Sequence, residues 1–248
     1  MMKQSDGKTA RAPYGLELVE SCLECSERAP HAFCDLAESA LRAFGSVRFT
    51  TTYPKGAILF LERQSARGVY LLCSGCVKLS MNSADGRELI ARIAERGEAL
   101  GLSSTVSGRP YELTAETLEP CRITFIKRED FLRLLNSDAE ISVRTALHLS
   151  NNYHLACEQI RLLALSNSAG ARLAKFLLEW CLSHGQQTPQ GHKLILTLTH
   201  EEIAHLIGVA RETVTRLFSE FRHQRIIQTR GASLLILKKA ALEALAKG

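Results

Sequence analysis

The sequence predicts an α+β protein, in which an antiparallel β domain is followed by one long helix and a C-terminal module of helices and short strands. Three observations support this fold class. Short apolar runs separated by turn residues recur about every 8–12 residues between positions 47 and 127. A helical pattern without Pro or Gly covers 138–165. Further helical patterns and two short strand-like runs occupy the remaining chain.

The β domain is predicted from five apolar runs, with a helical pattern at 35–44 before them. The runs read AILFL, GVYLLCSG, CVKLSM, ELIARIA and RITFI, and turn sequences such as YPKG and SADGRE divide them. No long helix alternates with these strands, which argues for an antiparallel barrel or sandwich and against βαβ units. We expect a cysteine-bearing segment at 1–34, a β domain at 35–136, a long helix at 137–165 and a C-terminal module at 166–248.

Composition limits the classes of protein that need to be considered. No apolar run approaches the ~18 residues that cross a bilayer, and the first residues, MMKQSDGKTARAP, lack the apolar stretch of a secretory signal. The expected location is therefore the cytoplasm, with no membrane partner. In a reducing cytosol, clustered cysteines are more often metal-binding or redox-active than disulfide-bonded. We find neither a nucleophile–base pattern nor a Gly-rich phosphate loop, so nothing in the sequence indicates an enzyme.

The formal charge is concentrated at the C-terminal end. Residues 165–248 hold eleven Lys and Arg against six Asp and Glu, a net +5, whereas residues 1–164 hold 20 of each. The whole net charge of +5 therefore lies in the last third of the chain. A basic module on a neutral body is typical of a nucleic-acid partner for that module, although a solvated surface with a chance excess of cations has the same composition.

The long helix carries an apolar stripe. At ~1.5 Å per residue it would extend about 40 Å, which is long for a helix in a small domain. A helix of this kind often pairs with its own copy in a dimer, and the alternative is that it packs along its own β domain. Its apolar residues include Ile141, Val143, Leu147, Leu149, Leu155, Ile160, Leu162 and Leu163.

The strongest local signal is the stretch LTHEEIAHLIGVARETVTRLF. Thr199 is placed to cap a helix, and Glu202 three residues later completes a capping box. Gly208 falls where a tight turn between two helices needs a residue without Cβ. Val214 and Leu217 then fall where the second helix must face a core. These offsets are typical of a helix-turn-helix.

The start of the second helix carries four exposed polar residues: Arg211, Glu212, Thr215 and Arg216. In helix-turn-helix proteins this end of the helix enters the major groove. Arg bonds bidentately to O6 and N7 of guanine, and Glu accepts from N4 of cytosine. We therefore expect these residues to read double-stranded DNA. The alternative is an ordinary amphipathic helix pair with a surface Arg–Glu ion pair.

A second group of residues with specific chemistry consists of Cys22, Cys25 and Cys34, in the spacing C-x2-C-x8-C, with Cys121 far downstream. Four thiolates are the usual ligands of a [4Fe–4S] cluster. Four thiolates also hold Zn²⁺ tetrahedrally. Buried cysteines without a ligand are the third reading, since Cys is among the most buried residue types.

The order of elements over about 35–248, and the sequence R-E-T-V-T-R after L-I-G-V-A, resemble the CRP/FNR family of bacterial transcription regulators. The resemblance implies a cyclic-nucleotide-binding-like β roll, a long dimerisation helix and a C-terminal winged helix-turn-helix. It also implies a homodimer on DNA, with RNA polymerase as a partner. The pattern R-E-x-x-x-R is similar to the family's reader of TGTGA half-sites, whereas its other reader has Glu, Ser and Arg and reads TTGAT. Ala210 stands where a capping Ser is common.

The resemblance also bears on the signal. In the family's nucleotide-binding members, an Arg-Ser or Arg-Thr pair follows Gly-Glu, and here Tyr111 and Glu112 occupy its place. A carboxylate beside a phosphate repels it, so cyclic AMP is not the expected ligand. The family's oxygen-sensing branch has three N-terminal cysteines and one on the β roll, and Cys121 lies at the matching place. The resemblance thus implies a [4Fe–4S] cluster on Cys22, Cys25, Cys34 and Cys121, sensing oxygen, nitric oxide or redox state.

Other sensing modes remain open at this point. The last N-terminal gap is three residues longer than the family's C-x2-C-x5-C. A regulator without cofactor, or one using thiol oxidation, zinc, haem or a small ligand, is the competing class. A second C-x2-C, formed by Cys73 and Cys76, flanks a Ser-Gly turn that the family places between two strands. These two cysteines either flank that turn only, or serve as substitute ligands or a redox pair.

Overall fold

The computed structural model describes residues 13–16, 22, 23, 25, 28 and 32–247. By its internal contacts the chain divides into two compact units. The first comprises 1–81 and 92–153, and the second comprises 82–91 and 154–248. Among the described residues, no helix has the length and apolar character needed to cross a membrane.

The elements up to residue 137 are mainly strands. In chain order they are α1 (Glu38–Val47), β1 (Arg48–Tyr53), β2 (Ile58–Phe60), β3 (Gly68–Ser74), β4 (Val77–Asn82), β5 (Glu88–Ala94), β6 (Ala99–Leu100), α2 (Leu102–Ser107), β7 (Thr114–Thr117), β8 (Cys121–Lys127) and α3 (Arg128–Ser137). They form two four-stranded sheets, ordered β1-β8-β3-β6 and β2-β7-β4-β5. The hairpin tip between β4 and β5, residues 82–91, belongs to the second unit.

Strands β3 and β8 of the sheet β1-β8-β3-β6 are largely buried on both faces, and alternation along these strands places successive side chains on opposite faces. One face, here called the helix-facing side, carries Val69 and Ile126 and packs with Phe44 of α1 and Phe131 of α3. The other, here called the sheet-facing side, packs against the second sheet. Its residues form a separate core with Phe60, Leu72, Val77, Leu79, Leu100, Ala115 and Ile123. A residue's place in the alternation therefore decides which of the two cores it enters.

The five predicted strands correspond to β2, β3, β4, β5 and β8, which confirms them. The sequence did not predict β1, β6 and β7. β1 reads RFTTTY and lacks an apolar alternation, while β6 and β7 have only two and four residues. The first helix begins at Glu38, three residues later than expected, because Asp35 N–H donates to Ala32 O in a turn (3.0 Å) and Ala37 N–H donates to the Glu140 carboxylate (3.1 Å).

The remaining elements are mostly helical. They are α4 (Ala139–Leu165), α5 (Ala169–His184), β9 (Gln186–Thr188), β10 (Gly191–Ile195), α6 (His200–Ile207), α7 (Arg211–His223), β11 (Ile227–Arg230), β12 (Ser233–Ile236) and α8 (Lys239–Lys247). α4 has 27 residues and confirms the predicted long helix. The four strands form one antiparallel sheet in the order β11-β12-β10-β9, which includes the predicted wing. The stretch QQTPQGHK, residues 186–193, lies mostly in the hairpin of β9 and β10.

Candidate functional site

The helix pair α6 and α7 has the caps that its sequence predicts. Thr199 Oγ1 accepts from Glu202 N–H (3.2 Å), while the Glu202 carboxylate accepts from Thr199 N–H (2.6 Å). α6 ends at Gly208, whose φ of 64° lies in the left-handed region. A Cβ there would also approach Leu163 Cδ2 to 2.9 Å, so both conformation and space require glycine. This turn sets the start of α7.

One side of α7 packs into the core of the second unit and the other faces solvent. Val214, Leu217, Phe218 and Phe221 are buried on the inner side. The predicted reading residues, Arg211, Glu212, Thr215 and Arg216, are all exposed on the outer side. The structure therefore brings all four together at the start of a helix whose back is fixed by apolar packing.

The polar groups at the start of α7 are held differently. The Thr215 hydroxyl donates to Arg211 O (3.1 Å) and shares a hydrogen bond with His200 Nδ1 (2.9 Å). His200 stacks on Phe218, with ring centroids 4.8 Å apart. Burial, and then the charges of Arg211 and Arg222, lower the pKa of His200 below its ordinary value. A neutral His200 thus orients Thr215.

The wing supplies further cationic groups beside this helix pair. β11 and β12 turn at Gly231, which has a φ of 59°. Lys193 of β10 and Arg230 of β11 line a shallow depression of ≈ 340 Å³ on the same sheet. Cations on an exposed strand surface are suited to phosphate oxygens rather than to bases.

The predicted sensor cysteines are only partly brought together. Cys22, Cys25 and Cys34 line one cavity of ≈ 60 Å³ on the helix-facing side, and the fourth cysteine in its lining is Cys73, not Cys121. None of the eight cysteines of the chain forms a disulfide bond. As they stand, no three His, Cys, Asp or Glu side chains within the described ranges converge closely enough to hold a metal ion. The thiols therefore share a cavity without forming a closed ligand set.

The cavity has a cationic wall. Arg48, Arg96 and Arg122 all line it, and Arg48 Nη1 donates to Cys22 Sγ at 3.0 Å. Burial raises the pKa of the Cys22 thiol, the Arg48 charge lowers it, and the nearness of Cys73 raises it again. A guanidinium on a thiol is the arrangement that stabilises the thiolate form.

Cys73 has its own set of neighbours at this wall. Its Sγ lies 3.4 Å from Thr124 Oγ1, which in turn bonds Thr50 Oγ1 at 2.7 Å. Burial raises the pKa of Cys73, whereas the Thr124 hydrogen bond and the charge of Arg122 lower it. The nearness of Cys34 and Cys25 adds to the rise in the pKa of Cys73.

Cys121 lies on the sheet-facing side, in the other core. It is fully buried, and its Sγ donates to Glu119 O (3.2 Å) and Cys76 O (3.4 Å). Burial raises the pKa of Cys121 to about 11. Burial, followed by the Glu119 carboxylate, raises the pKa of Cys76 to about 12. The predicted set Cys22, Cys25, Cys34 and Cys121 is thus divided between two faces of one sheet.

A packed tyrosine stands where the resemblance led us to expect the family's Arg-Ser pair. Tyr111 is 2% exposed, stacks on Phe60 at 4.0 Å, and its hydroxyl donates to Gly68 O at 2.7 Å. Glu112 accepts a hydrogen bond from Ser104 Oγ (2.5 Å). The place of a phosphate-binding arginine is therefore filled by a tyrosine ring and a carboxylate.

The long helix α4 exposes large apolar side chains. At roughly 100° per residue, five of them fall within an arc of ~140°, while the buried Ile141 and Leu162 lie on the other side. The five are Val143, Leu147, Tyr153, Ile160 and Leu165, each more than half exposed. Such a stripe on a helix is suited to pairing with another helix.

Comparison with known proteins assigns the family. The Crp-like helix-turn-helix domain matches residues 171–245, and the cyclic nucleotide-binding domain matches residues 50–138. The CRP-like cAMP-activated global transcriptional regulator of Mycobacterium tuberculosis is 28% identical over 204 residues, 82% of this chain and 91% of that protein. The anaerobic regulatory protein of Bacillus subtilis is 26% identical over 186 residues, 75% of this chain and 78% of that protein.

A solved structure has the same fold. FixK2 from Bradyrhizobium japonicum matches with a TM-score of 0.71 at 24% identity, over 80% of this chain and 97% of that one. The chain belongs to the CRP/FNR family of transcription regulators, and it is a DNA-binding protein of the helix-turn-helix class. The predicted family and fold class are confirmed: a cyclic-nucleotide-binding-type β domain, a long helix and a C-terminal helix-turn-helix.

Proposed function

We propose that this regulator binds a TGTGA-like palindrome as a homodimer, acts through RNA polymerase, and responds to oxygen, nitric oxide or redox state through a [4Fe–4S] cluster held by its sensor cysteines. The observation that carries the proposal is the cavity that Cys22, Cys25 and Cys34 share with three arginines.

Sequence reading is assigned to the start of α7. Arg211 and Arg216 are exposed one turn and a half apart, a spacing at which two guanidiniums reach different base pairs of one major groove. Glu212 lies between them and would accept from cytosine. Thr215, oriented by His200, is the fourth contact. Lys193 and Arg230 on the wing sheet would bind backbone phosphates.

Dimerisation is assigned to the exposed stripe of α4. Two copies of this helix, packed along the stripe that contains Val143 and Ile160, would bury side chains that are more than half exposed in one chain. A two-fold axis along such a pair presents two α7 helices to one face of DNA. Half-sites about one helical turn apart are the geometric consequence.

The cysteine cavity is suited to an anionic thiolate-bound group. When bound, the cluster would supply the oxygen- and nitric-oxide-sensitive chemistry. The chain's own contribution is to bring thiols from the N-terminal segment and the sheet to one place, and to set Arg48, Arg96 and Arg122 against their negative charge. Cys22 and Cys25 then tether the segment before α1 to the sheet, and loss of that tether is the signal passed to the dimer helix.

A cyclic nucleotide is not the proposed signal. Tyr111 is buried and bonded at the position where an arginine would bind the phosphate, and Glu112 adds a negative charge beside it. Residues 111 and 112 would therefore offer an anionic phosphate no guanidinium to bind, and the carboxylate of Glu112 would repel it. Cyclic AMP in millimolar excess is therefore expected to leave the DNA affinity of this protein unchanged.

Purification without air tests the proposal directly. The expected protein is brown, has charge-transfer absorption in the visible range, and contains iron and acid-labile sulfide in stoichiometric amounts. A colourless protein with zinc, or with no metal, contradicts the cluster and indicates a zinc-bound or thiol-based regulator. Cys157→Ser, which changes a cysteine outside the cavity, is the control that should keep the iron.

A further inference from the structure

We propose that Cys73, and not Cys121, completes the thiol set of the sensor with Cys22, Cys25 and Cys34. This inference rests on the proposed function, and it changes which strand anchors the N-terminal segment. Three features of the sheet support it: the faces on which the two cysteines lie, the irregular pairing at Cys73, and the charged residues around each thiol.

The two cysteines lie on opposite faces of one sheet. Cys73 follows Val69 and Leu71 on β3 with a period of two, so it is on the helix-facing side, where Cys22 also packs. Cys121 alternates with Arg122 on β8, and Arg122 lines the cavity. The Cys121 side chain therefore points away from the cavity and into the core between the sheets.

The space around Cys121 is already filled. A Cβ added to Gly75 would lie 2.5 Å from Cys121 Sγ and 2.8 Å from Pro120 O, so the turn between β3 and β4 packs directly on this thiol. Gly75 has a φ of 91°, which also favours glycine at this close approach. Bringing Cys121 to the cavity would require the end of β8 to turn over.

Cys73 lies at a break in the ladder between β3 and β8. Leu72 pairs with Ile123 and Ser74 pairs with Arg122, so Cys73 is the additional residue of a β-bulge. Bulges bend a strand and redirect a side chain, and they occur often beside functional sites. The Cys73 thiol at this bulge lies 3.4 Å from the Thr124 hydroxyl and shares the cavity lining with the three N-terminal cysteines.

The charges around the two thiols have opposite signs. Arg48, Arg96 and Arg122 line the cavity that Cys73 also lines, and Arg48 Nη1 donates to Cys22 Sγ at 3.0 Å. Cys121 Sγ instead lies 3.2 Å from the backbone oxygen of Glu119, whose side chain carries a negative charge. A cluster with four thiolates is an anion, so the arginine-lined cavity stabilises it and the Glu119 environment repels it.

The first test compares three serine variants of the full-length protein prepared without air. Cys73→Ser is expected to lose the iron, the sulfide and the visible absorption, whereas Cys121→Ser and the control Cys76→Ser are expected to keep them. Loss in Cys121→Ser with retention in Cys73→Ser overturns the inference. Near-ultraviolet circular dichroism checks that each variant is folded, and Cys73→Ala gives a second reading of the same position.

The second test needs no metal. Metal-free protein is treated with diamide, which takes up two hydrogens as it joins two thiols, and the linked peptides are identified by mass spectrometry. Disulfides from Cys73 to Cys22, Cys25 or Cys34 are expected. Disulfides from Cys121 to these three overturn the inference. A wild-type protein without iron that still gives the Cys73 disulfides contradicts the cluster while supporting this thiol set, so the two failures are distinguishable.

Discussion

The recognition helix and the cysteine cavity differ in how their residues come together. Arg211, Glu212, Thr215 and Arg216 lie within six consecutive positions of one helix, and the caps around them are local. The cavity collects Cys22, Cys25, Cys34 and Cys73 from a segment before α1 and from a strand 39 or more positions further on. Function on a single helix depends on local periodicity, whereas function across a sheet depends on register.

The recognition helix and the cysteine cavity also differ in their expected response to substitutions. A change on α7 alters one contact and leaves the helix in place, because Val214 and Phe221 hold its back. A change near the cavity alters the packing on which four separate thiols depend. If this difference is correct, a substitution in one region should leave the stability or binding properties of the other region unchanged.

Phe131→Ala is expected to be the most destabilising of these changes. Phe131 is fully buried, and its ring lies 6.1 Å from that of Phe33, the neighbour of Cys34. Removing a buried aromatic ring costs about 3–5 kcal/mol. Urea unfolding followed by circular dichroism measures this loss. Phe49→Ala, at a side chain 58% exposed, is the matched control and should stay within about 0.5 kcal/mol of wild type.

Arg216→Ala tests base reading on α7. We expect DNA affinity to fall by about 1–3 kcal/mol and specificity to relax at one base pair of each half-site. Fluorescence anisotropy with a set of operators, each changed at one position, measures both quantities. Arg230→Ala on the wing is the comparison, because loss of a phosphate contact weakens all operators about equally and reduces the salt slope by about 1. Uniform loss in Arg216→Ala would mean that Arg216 binds phosphate.

Ala210→Ser tests the cap of the recognition helix. Ala210 is the N-cap of α7 and gives it no side-chain hydrogen bond. A serine there is expected to stabilise the second unit by about 1 kcal/mol, and Ala210→Gly should recover most of this gain, because glycine is only a few tenths of a kcal/mol worse than serine at an N-cap. Thermal unfolding compares the two. Equal melting temperatures for Ala210→Ser and wild type would mean that the serine hydroxyl does not reach the helix amides.

His200 gives the smallest effect, a dependence on pH. Its pKa is lowered in the folded chain, so the unfolded chain binds its proton first as the pH falls below about 6.5. Stability of the second unit is therefore expected to decrease as the pH falls through and below that value. In His200→Asn, the free energy of unfolding should depend less steeply on pH. Urea titrations between about pH 5 and 7, a range around the ordinary histidine pKa, measure this dependence. A steeper slope in the variant would contradict the assignment.

What the sequence could predict follows the same division. The capping box at Thr199, the turn at Gly208 and the exposed start of α7 were all predicted, since each depends on neighbours within a few residues. The strand β1 was missed because RFTTTY has no apolar alternation, although its pairing with β8 supplies Arg48 and Thr50 to the cavity. Features that depend on residues close in sequence, such as helix caps and turns, were therefore predicted, whereas a strand defined by its pairing was not.

The choice between Cys73 and Cys121 shows the limit most clearly. Cys73 lies within a predicted strand and Cys121 directly precedes one, but the side of the sheet that each thiol faces depends on how the strands pair and what packs on each face. The resemblance to the family, which compares positions along the chain, implies Cys121 as the fourth cluster ligand. In the folded sheet, however, it is Cys73 that lines the cavity. A change of one residue in strand register moves a side chain to the opposite face of the sheet, and the spacing of cysteines in the sequence does not define that register.

The most direct test of the account is the effect of air on DNA binding. Protein purified without air is titrated onto a labelled TGTGA-like palindrome by fluorescence anisotropy, before and after exposure to air, in the wild type and in Cys22→Ser. The account predicts that air weakens binding by the wild type and leaves the weaker binding of Cys22→Ser unchanged. Equal affinity of the wild-type protein before and after air would contradict it.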